Sequence, residues 1–191
     1  MPRRRDPAKL EALHQATTRL VVKTGFAGLK MAEVAKEAGL ATGTTYIYYK
    51  NKEALINAVY LKTRQEIADL LQNEALKRET FYETFEAIWL AYFEFCYQQP
   101  DKMLFVEQFR YSGMITKKNL EVADAYFLEY DEFLKRGQKQ GFLRRMDLGT
   151  MKAQIRGACH EIIKQLHQES GEPNEHLLDL CFDMAWSSVR K

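Results

Sequence analysis

A chain of 191 residues, 46% hydrophobic, 28% charged and with a net charge of +2, is long enough for one or two domains with a buried core, and its composition is that of an ordinary soluble globular protein. No apolar run approaches the ~20 residues of a membrane span, and the start MPRRRDPAKLEALHQ lacks the apolar stretch of a signal peptide, so neither a membrane partner nor secretion is expected. Three cysteines, Cys96, Cys159 and Cys181, odd in number and far apart inside helical patterns, argue against a disulfide framework and point to reduced thiols in a cytoplasmic protein.

Helical periodicity fills most segments between the four prolines and ten glycines, so an all-α protein of about nine helices is expected. The first helix starts at Asp6, a capping residue, with Pro7 in the first turn, where its missing N–H costs nothing. Leu10, Leu13, Thr17, Leu20 and Val21 share one face, and Gly25 and Gly28 break the chain. A short helix follows, with Met31, Val34, Ala35 and Ala38 on one side and Gly39 as C-cap. Then comes Thr42 to Tyr49, TGTTYIYY, rich in β-branched and aromatic residues that favour strands. A strand here would need a partner with alternating pattern, and none exists in the chain. The fourth helix runs from Asn51, with Leu55, Val59, Leu61, Ile67 and Leu70 among its apolar positions.

Residues 1–55 hold ten Lys/Arg against five Asp/Glu, a charge of +5, while 56–191 hold eighteen against twenty-one, a charge of −3. The basic third suggests a polyanion partner for that part alone, the alternative being surface imbalance. The domain boundary is expected near residues 50–56.

From residue 80 the chain turns aromatic, with eight of its twenty-three aromatic residues between Phe81 and Tyr97. Phe81, Phe85, Ile88 and Tyr92 form one stripe and Trp89, Phe93 and Tyr97 a second, the pattern of a helix buried inside a bundle. Further helices follow from Asp101, from Leu120 (with Leu120, Ala123, Phe127, Tyr130 and Leu134 in one stripe), from Met146 and from Glu172.

Two short helices joined by a glycine-containing turn outline a helix-turn-helix. Gly39, Leu40 and Ala41 form the turn, with Leu40 as an apolar plug. Thr42 to Tyr49 form a second helix about 12 Å long at ~1.5 Å per residue, matching a major groove ~12 Å wide. In that setting the odd composition has a reason. Thr42 and Thr44 offer hydroxyls and methyls to phosphates or base edges, and Gly43 permits close backbone approach. Tyr46 and Tyr48 reach the sugar–phosphate backbone, and Lys50 and Lys52 add charge.

These residues resemble the DNA-binding domain of a TetR-family transcriptional regulator. The family's pattern, roughly T…IA…GVS.GTLY.YF..KE.L, runs here as KMAEVAKEAGLATGTTYIYYKNKEAL over about 26 residues. Val34-Ala35 match the IA pair, Gly39-Leu40 the turn, Gly43-Thr44-Thr45-Tyr46 the recognition core and Lys52-Glu53-Ala54-Leu55 the start of the next helix. The resemblance implies phosphate contacts from Tyr46 and Lys52, base or adjacent contacts from Thr42, Gly43, Thr44 and Ile47, and a second backbone contact from Tyr48. Three positions depart from the pattern. Lys30 stands where the family caps its second helix with Thr or Ser, and its charge could meet a phosphate instead. Ala41 replaces the turn's Ser, so Thr42 could cap one residue late. Tyr49 replaces a buried Phe, and its hydroxyl needs a partner. Arg3, Arg4 and Arg5 form either an arm along a groove or a solvated tail.

The resemblance further implies that residues 1–55 are the helix-turn-helix domain and that 56–191 are a helical-bundle domain for ligand binding and dimerisation. Trp89, Tyr92, Phe93, Phe105, Phe109, Tyr126 and Tyr130 either line an apolar pocket or fill a core, and as a set they favour a flat or greasy small-molecule effector. Glu94, His160 and Glu161 are candidate polar contacts. For the family's dimer bundle, Met151, Ile155, Ala158 and Ile162 give one helix a face, and Leu177, Cys181, Met184 and Ala185 give the last helix another; Gly157 and Ala158 permit close approach. The implied function is a homodimeric repressor released from a palindromic operator by that effector, two recognition helices meeting half-sites about 34–36 Å apart. No catalytic residue, cofactor or metal is expected: there is no nucleophile elbow, phosphate loop or close Cys/His spacing, and His160 with His167 and Glu161 is a weak metal pattern. The alternatives are a helical-bundle enzyme or carrier and a non-specific nucleoid-associated protein.

Overall fold

Asp6, Thr80, Asp147 and Asn174 start helices in this chain by accepting free N–H groups, and Gly39 and Gly141, both at positive φ, follow the ends of two others. The computed structural model describes residues 6–75, 78–110 and 112–191. Among them are ten helices: α1 (Pro7–Gly28), α2 (Met31–Glu37), α3 (Thr42–Tyr48), α4 (Lys52–Ala75), α5 (Phe81–Gln98), α6 (Pro100–Arg110), α7 (Lys117–Ala125), α8 (Leu128–Gln140), α9 (Leu148–Gln168) and α10 (Glu175–Val189). The all-α expectation holds. The described residues contain one isolated bridge, Leu143 to Arg190, and no strand. None of the helices is long and apolar enough to cross a membrane.

Asp6 caps α1 by accepting from the Ala8 N–H, and Gly25, at φ 70°, interrupts that helix before its last turn. Thr80 and Glu83 form a reciprocal capping box at the start of α5, a T-x-x-E signal readable in the sequence. The tenth helix comes from the stretch after Lys117, which breaks into α7 and α8 at Tyr126–Phe127. Ala123, Phe127 and Leu134 are all buried, so the apolar period continues through the break and conceals it.

The chain forms two compact units, one of residues up to Arg64 with Asp101–Val122, the other of Gln65–Pro100 with Ala123–Lys191. In the first, Leu13, Val21, Val34, Ala35, Leu55 and Ile56 are buried. Its core is completed from α6: Phe26 packs on Phe105 (5.7 Å between ring centres) and Phe109 (5.3 Å), and Phe109 packs on Tyr60 (4.8 Å). The Asn119 amide donates to the Asn57 side-chain oxygen at 2.7 Å.

In the second unit α5, α9 and α10 pack together, with α8 against α9. Phe81 stacks between Phe133 (4.5 Å) and Phe142 (5.0 Å), and Phe85 meets Trp186 at 5.1 Å. Gly137 on α8 makes room for this stack: a Cβ there would collide with the Phe81 ring and reach Leu143 Cδ1 at 2.9 Å. Gly137→Ala should therefore destabilise the unit by about 1–3 kcal/mol through overpacking, against alanine's usual gain in a helix. Urea denaturation of the purified variant checks the sign: a more stable variant would mean that the Phe81 ring yields freely.

Candidate nucleic-acid interface

The turn between α2 and α3 is set by glycine. Gly39 adopts φ 67°, its N–H bonds to the Lys36 carbonyl, and the Leu40 N–H reaches back to Ala35 O at 2.8 Å. These two bonds satisfy carbonyls at the end of α2 and turn the chain sharply. Leu40 is half-buried at the turn. Thr42 is the first residue of α3, and Ala41 is its N-cap, with no side-chain acceptor for the first N–H groups. The sequence ambiguity about the start of this helix is thus settled at Thr42.

Two residues hold α3 inward. Thr45 is fully buried, its hydroxyl donating to Thr42 O, and Tyr48 is 8% exposed. The Tyr48 hydroxyl accepts from the Asp6 N–H at 2.9 Å and donates to Asp6 O at 3.3 Å, which ties the end of α3 to the start of α1. This corrects the expectation that Tyr48 reaches outward: at three residues from Thr45 it shares the buried face. Tyr49 finds the partner its hydroxyl needs in His14, at 2.5 Å from Nε2.

The opposite side of α3 is open. Tyr46 is 53% and Ile47 52% exposed, Thr42 and Gly43 are exposed, and Thr44 is half-buried. Large apolar side chains left in water on a helix otherwise anchored by its neighbours suggest a contact surface. Lys50 is exposed at the far end. Lys52 is half-buried, its ammonium donating to Phe26 O (3.2 Å) and Ala27 O (3.4 Å), which positions the charge at the start of α4. Lys30 caps nothing; it is exposed and pairs with Glu33 at 3.3 Å. Arg3, Arg4 and Arg5 lie outside the described residues.

The seven aromatic residues singled out for a ligand do not form one group. Phe105 and Phe109 are fully buried in the first unit, against Phe26 and Tyr60. Their placement corrects the expectation that they line the pocket: α6 completes the first unit's core, which a linear pattern cannot show. Trp89 and Phe93 are buried in the second unit, 5.4 Å apart, and Tyr92, Tyr126 and Tyr130 are half-buried there. The Tyr92 hydroxyl lies 2.7 Å from His160 Nε2, and His167 Nε2 lies 3.0 Å from Tyr97 O. Among the described residues no group of three His, Cys, Asp or Glu side chains is placed to hold a metal ion. Burial pushes the Cys96 thiol up to about 12, and Cys159 is raised for the same reason, so both are neutral thiols at physiological pH.

On α9 and α10 the outward face is rotated from the expected one. Met151, Ile155 and Cys181 are buried within the single chain, as is Ala185. The apolar stripe of each helix continues through Cys159 and Ile163, or through Phe182 and Val189, and that extension draws the buried side round with it. Ile162 and Leu177 lie at its edge, half-buried. Gly157 and Ala158 on α9 and Met184 (61% exposed) on α10 face outward, joined by Leu180, 49% exposed, which sequence reasoning missed.

Two family models match the chain: one described as bacterial regulatory proteins of the tetR family, over residues 13–59, and one as a tetracyclin repressor-like C-terminal domain, over 80–190. An uncharacterized HTH-type transcriptional regulator of Haemophilus influenzae is 26% identical over 136 residues, 71% of each chain. A TetR family transcription regulator from Marinobacter aquaeolei VT8 has the same fold, with a TM-score of 0.91 over 97% of both chains at 23% identity. The regulator FadR of Bacillus subtilis, solved in complex with stearoyl-CoA, superposes with a TM-score of 0.69 over 93% of this chain and 95% of its own, at 17% identity.

Proposed function

Because the chain belongs to the TetR family of bacterial transcriptional regulators, DNA-binding proteins with a helix-turn-helix, we propose that it acts as a homodimeric repressor, released from a palindromic operator by a small, largely apolar effector. The observation that supports it most is α3: a short helix pinned at Thr45 and Tyr48 that holds Tyr46 and Ile47 out in water beside Thr42, Gly43 and Thr44. That face fits the major groove, with Tyr46 and Lys52 toward phosphates and Thr44 and Ile47 toward base edges. The stearoyl-CoA held by FadR supports an apolar effector. Such an effector acts only through unequal affinity for the DNA-binding and released conformers.

Selection of bound duplex from a random pool with the purified protein tests this. A recovered palindrome is expected. Equal affinity for random and enriched duplex at physiological salt would remove the repressor reading and leave a non-specific binder. With the selected operator, Tyr46→Phe should weaken binding to every sequence about equally, whereas Thr44→Ala should relax preference at one base pair, a change of about 1–3 kcal/mol. If Tyr46→Phe altered preference at a single position instead, the assignment of that hydroxyl to phosphate would fall.

The dimer is built, on this proposal, from the outward face of α9 and α10, where Gly157 and Ala158 let helices approach and Leu180 and Met184 supply apolar surface. Met184→Asp should shift the protein to monomer in analytical ultracentrifugation with its helicity intact. A variant that remained dimeric would place the interface elsewhere.

A further inference from the structure

Several hydrogen-bonding donors in the second unit meet no acceptor among the described residues, and two of them sit on the packed helices α5 and α9. The indole N–H of Trp89 is one. Its ring is 3% exposed and packed on Phe93 and Phe182, 5.4 and 5.7 Å away. The other is Arg156, half-buried on α9 without an ion pair or hydrogen bond to a described residue. The acidic group of α8 that reaches α9, Asp131, is taken by Lys152 at 2.7 Å, one turn before Arg156.

The two donors lie at one level of the α5–α9 pair. Tyr92 meets His160 and the Tyr97 carbonyl meets His167, so the two helices advance in the same direction. Trp89 lies one turn before Tyr92 and Arg156 one turn before His160. The guanidinium is also near Tyr92, Cys96 and Tyr130: burial raises the pKa of all three, and the positive charge of Arg156 works against that rise. A cation and a buried N–H donor, flanked by phenols and aromatic rings and each without a partner among the described residues, are the groups that a receptor for an anionic oxygen on an apolar body requires. A guanidinium binds a planar carboxylate through two parallel hydrogen bonds, and a buried donor without an acceptor discriminates strongly for a ligand that supplies one.

We propose that Arg156 and Trp89, with Tyr92 beside them, bind the carboxylate of an apolar acid whose hydrocarbon lies along the Phe93 and Phe182 rings. This names the chemistry of the effector and rests on the reading of the protein as an effector-released regulator. An alcohol of the same chain has no charge for Arg156, and a CoA thioester puts a neutral carbonyl where the carboxylate would sit, its phosphates lying far along the CoA, so both bind less well.

Calorimetric titration of the full-length protein with straight-chain carboxylates from butyrate to palmitate, the matching alcohols and the matching CoA thioesters tests the site. One carboxylate should bind at least tenfold more tightly than its alcohol. Arg156→Gln should abolish that difference and leave the alcohol unaffected, and Arg156→Lys should restore part of it. The Trp89 indole N–H resonance, assigned with Trp186→Phe as control, should move on adding the carboxylate, and Trp89→Phe should weaken binding without changing the fold. Equal binding of acid and alcohol, preference for the thioester, wild-type affinity in Arg156→Gln, an unmoved Trp89 resonance or no binding at all would each overturn the proposal. Titration needs no operator, so its result is independent of the duplex selection. Enriched duplex with no carboxylate binding would keep the regulator and remove the acid; carboxylate binding without enriched duplex would do the reverse.

Discussion

Ile47→Glu should reduce affinity for the selected operator by roughly a hundredfold or more while leaving the melting temperature unchanged. Ile47 is half exposed on the open side of α3, and the cluster that holds this helix, Thr45, Tyr48 and the Tyr49–His14 pair, lies on the other side. The substitution therefore removes little packing. It places a carboxylate where the proposed complex brings phosphates and base edges, so the apolar contact is lost and charge repulsion is added. Fluorescence anisotropy with the operator duplex measures the loss, and circular dichroism confirms the fold. A variant that bound normally would show that the exposed face of α3 is not the reading face. The loss should remain at higher salt, because part of it is lost apolar contact rather than screened charge.

Phe109→Ala should act in the opposite way, through the fold. The ring is fully buried and meets Phe26 at 5.3 Å and Tyr60 at 4.8 Å, so its removal should cost about 3–5 kcal/mol in lost transfer energy and cavity. The consequence for DNA is indirect. The carbonyl of Phe26 accepts from the Lys52 ammonium, so loosening Phe26 releases a charge assigned to a phosphate. Urea denaturation should show the first unit unfolding at lower denaturant, with operator affinity falling in parallel. Loss of stability near 1 kcal/mol or less would mean that neighbouring rings collapse into the space.

Much of the helix-turn-helix was legible in residue types alone. Gly39 must adopt a positive φ to turn the chain, and Val34-Ala35 and Leu55 are apolar at helical spacing. Tyr46 is placed outward by its reach toward a sugar–phosphate backbone, and Ile47 by the family resemblance alone. Tyr48 was harder, because a tyrosine two residues from Tyr46 has the same chemistry. Only the packing of α3 against Asp6 decides that one hydroxyl points inward and the other toward water. The aromatic residues show the same limit. Residue type marks Trp89, Phe93, Phe105 and Phe109 as pocket lining or core, but cannot say in which part of the molecule, and the structure divides them between two units.

What this sequence determined by itself was the all-α class and the turn at Gly39; a short helix after that turn was legible, but not whether it starts at Thr42 or a residue later, since Ala41 offers no cap. Those follow from local physics: cap chemistry, glycine's conformational freedom and apolar period. Tertiary structure decided which face of each helix is used. Met151, Ile155 and Cys181 turned inward and Leu180 and Met184 outward, since Cys159, Ile163, Phe182 and Val189 rotate the buried stripe. Tertiary packing likewise holds TGTTYIYY in a helix that its own residues disfavour, through Thr45, Tyr48 and the His14–Tyr49 pair, because burial and long-range hydrogen bonds outweigh a propensity difference of a few tenths of a kcal/mol per residue.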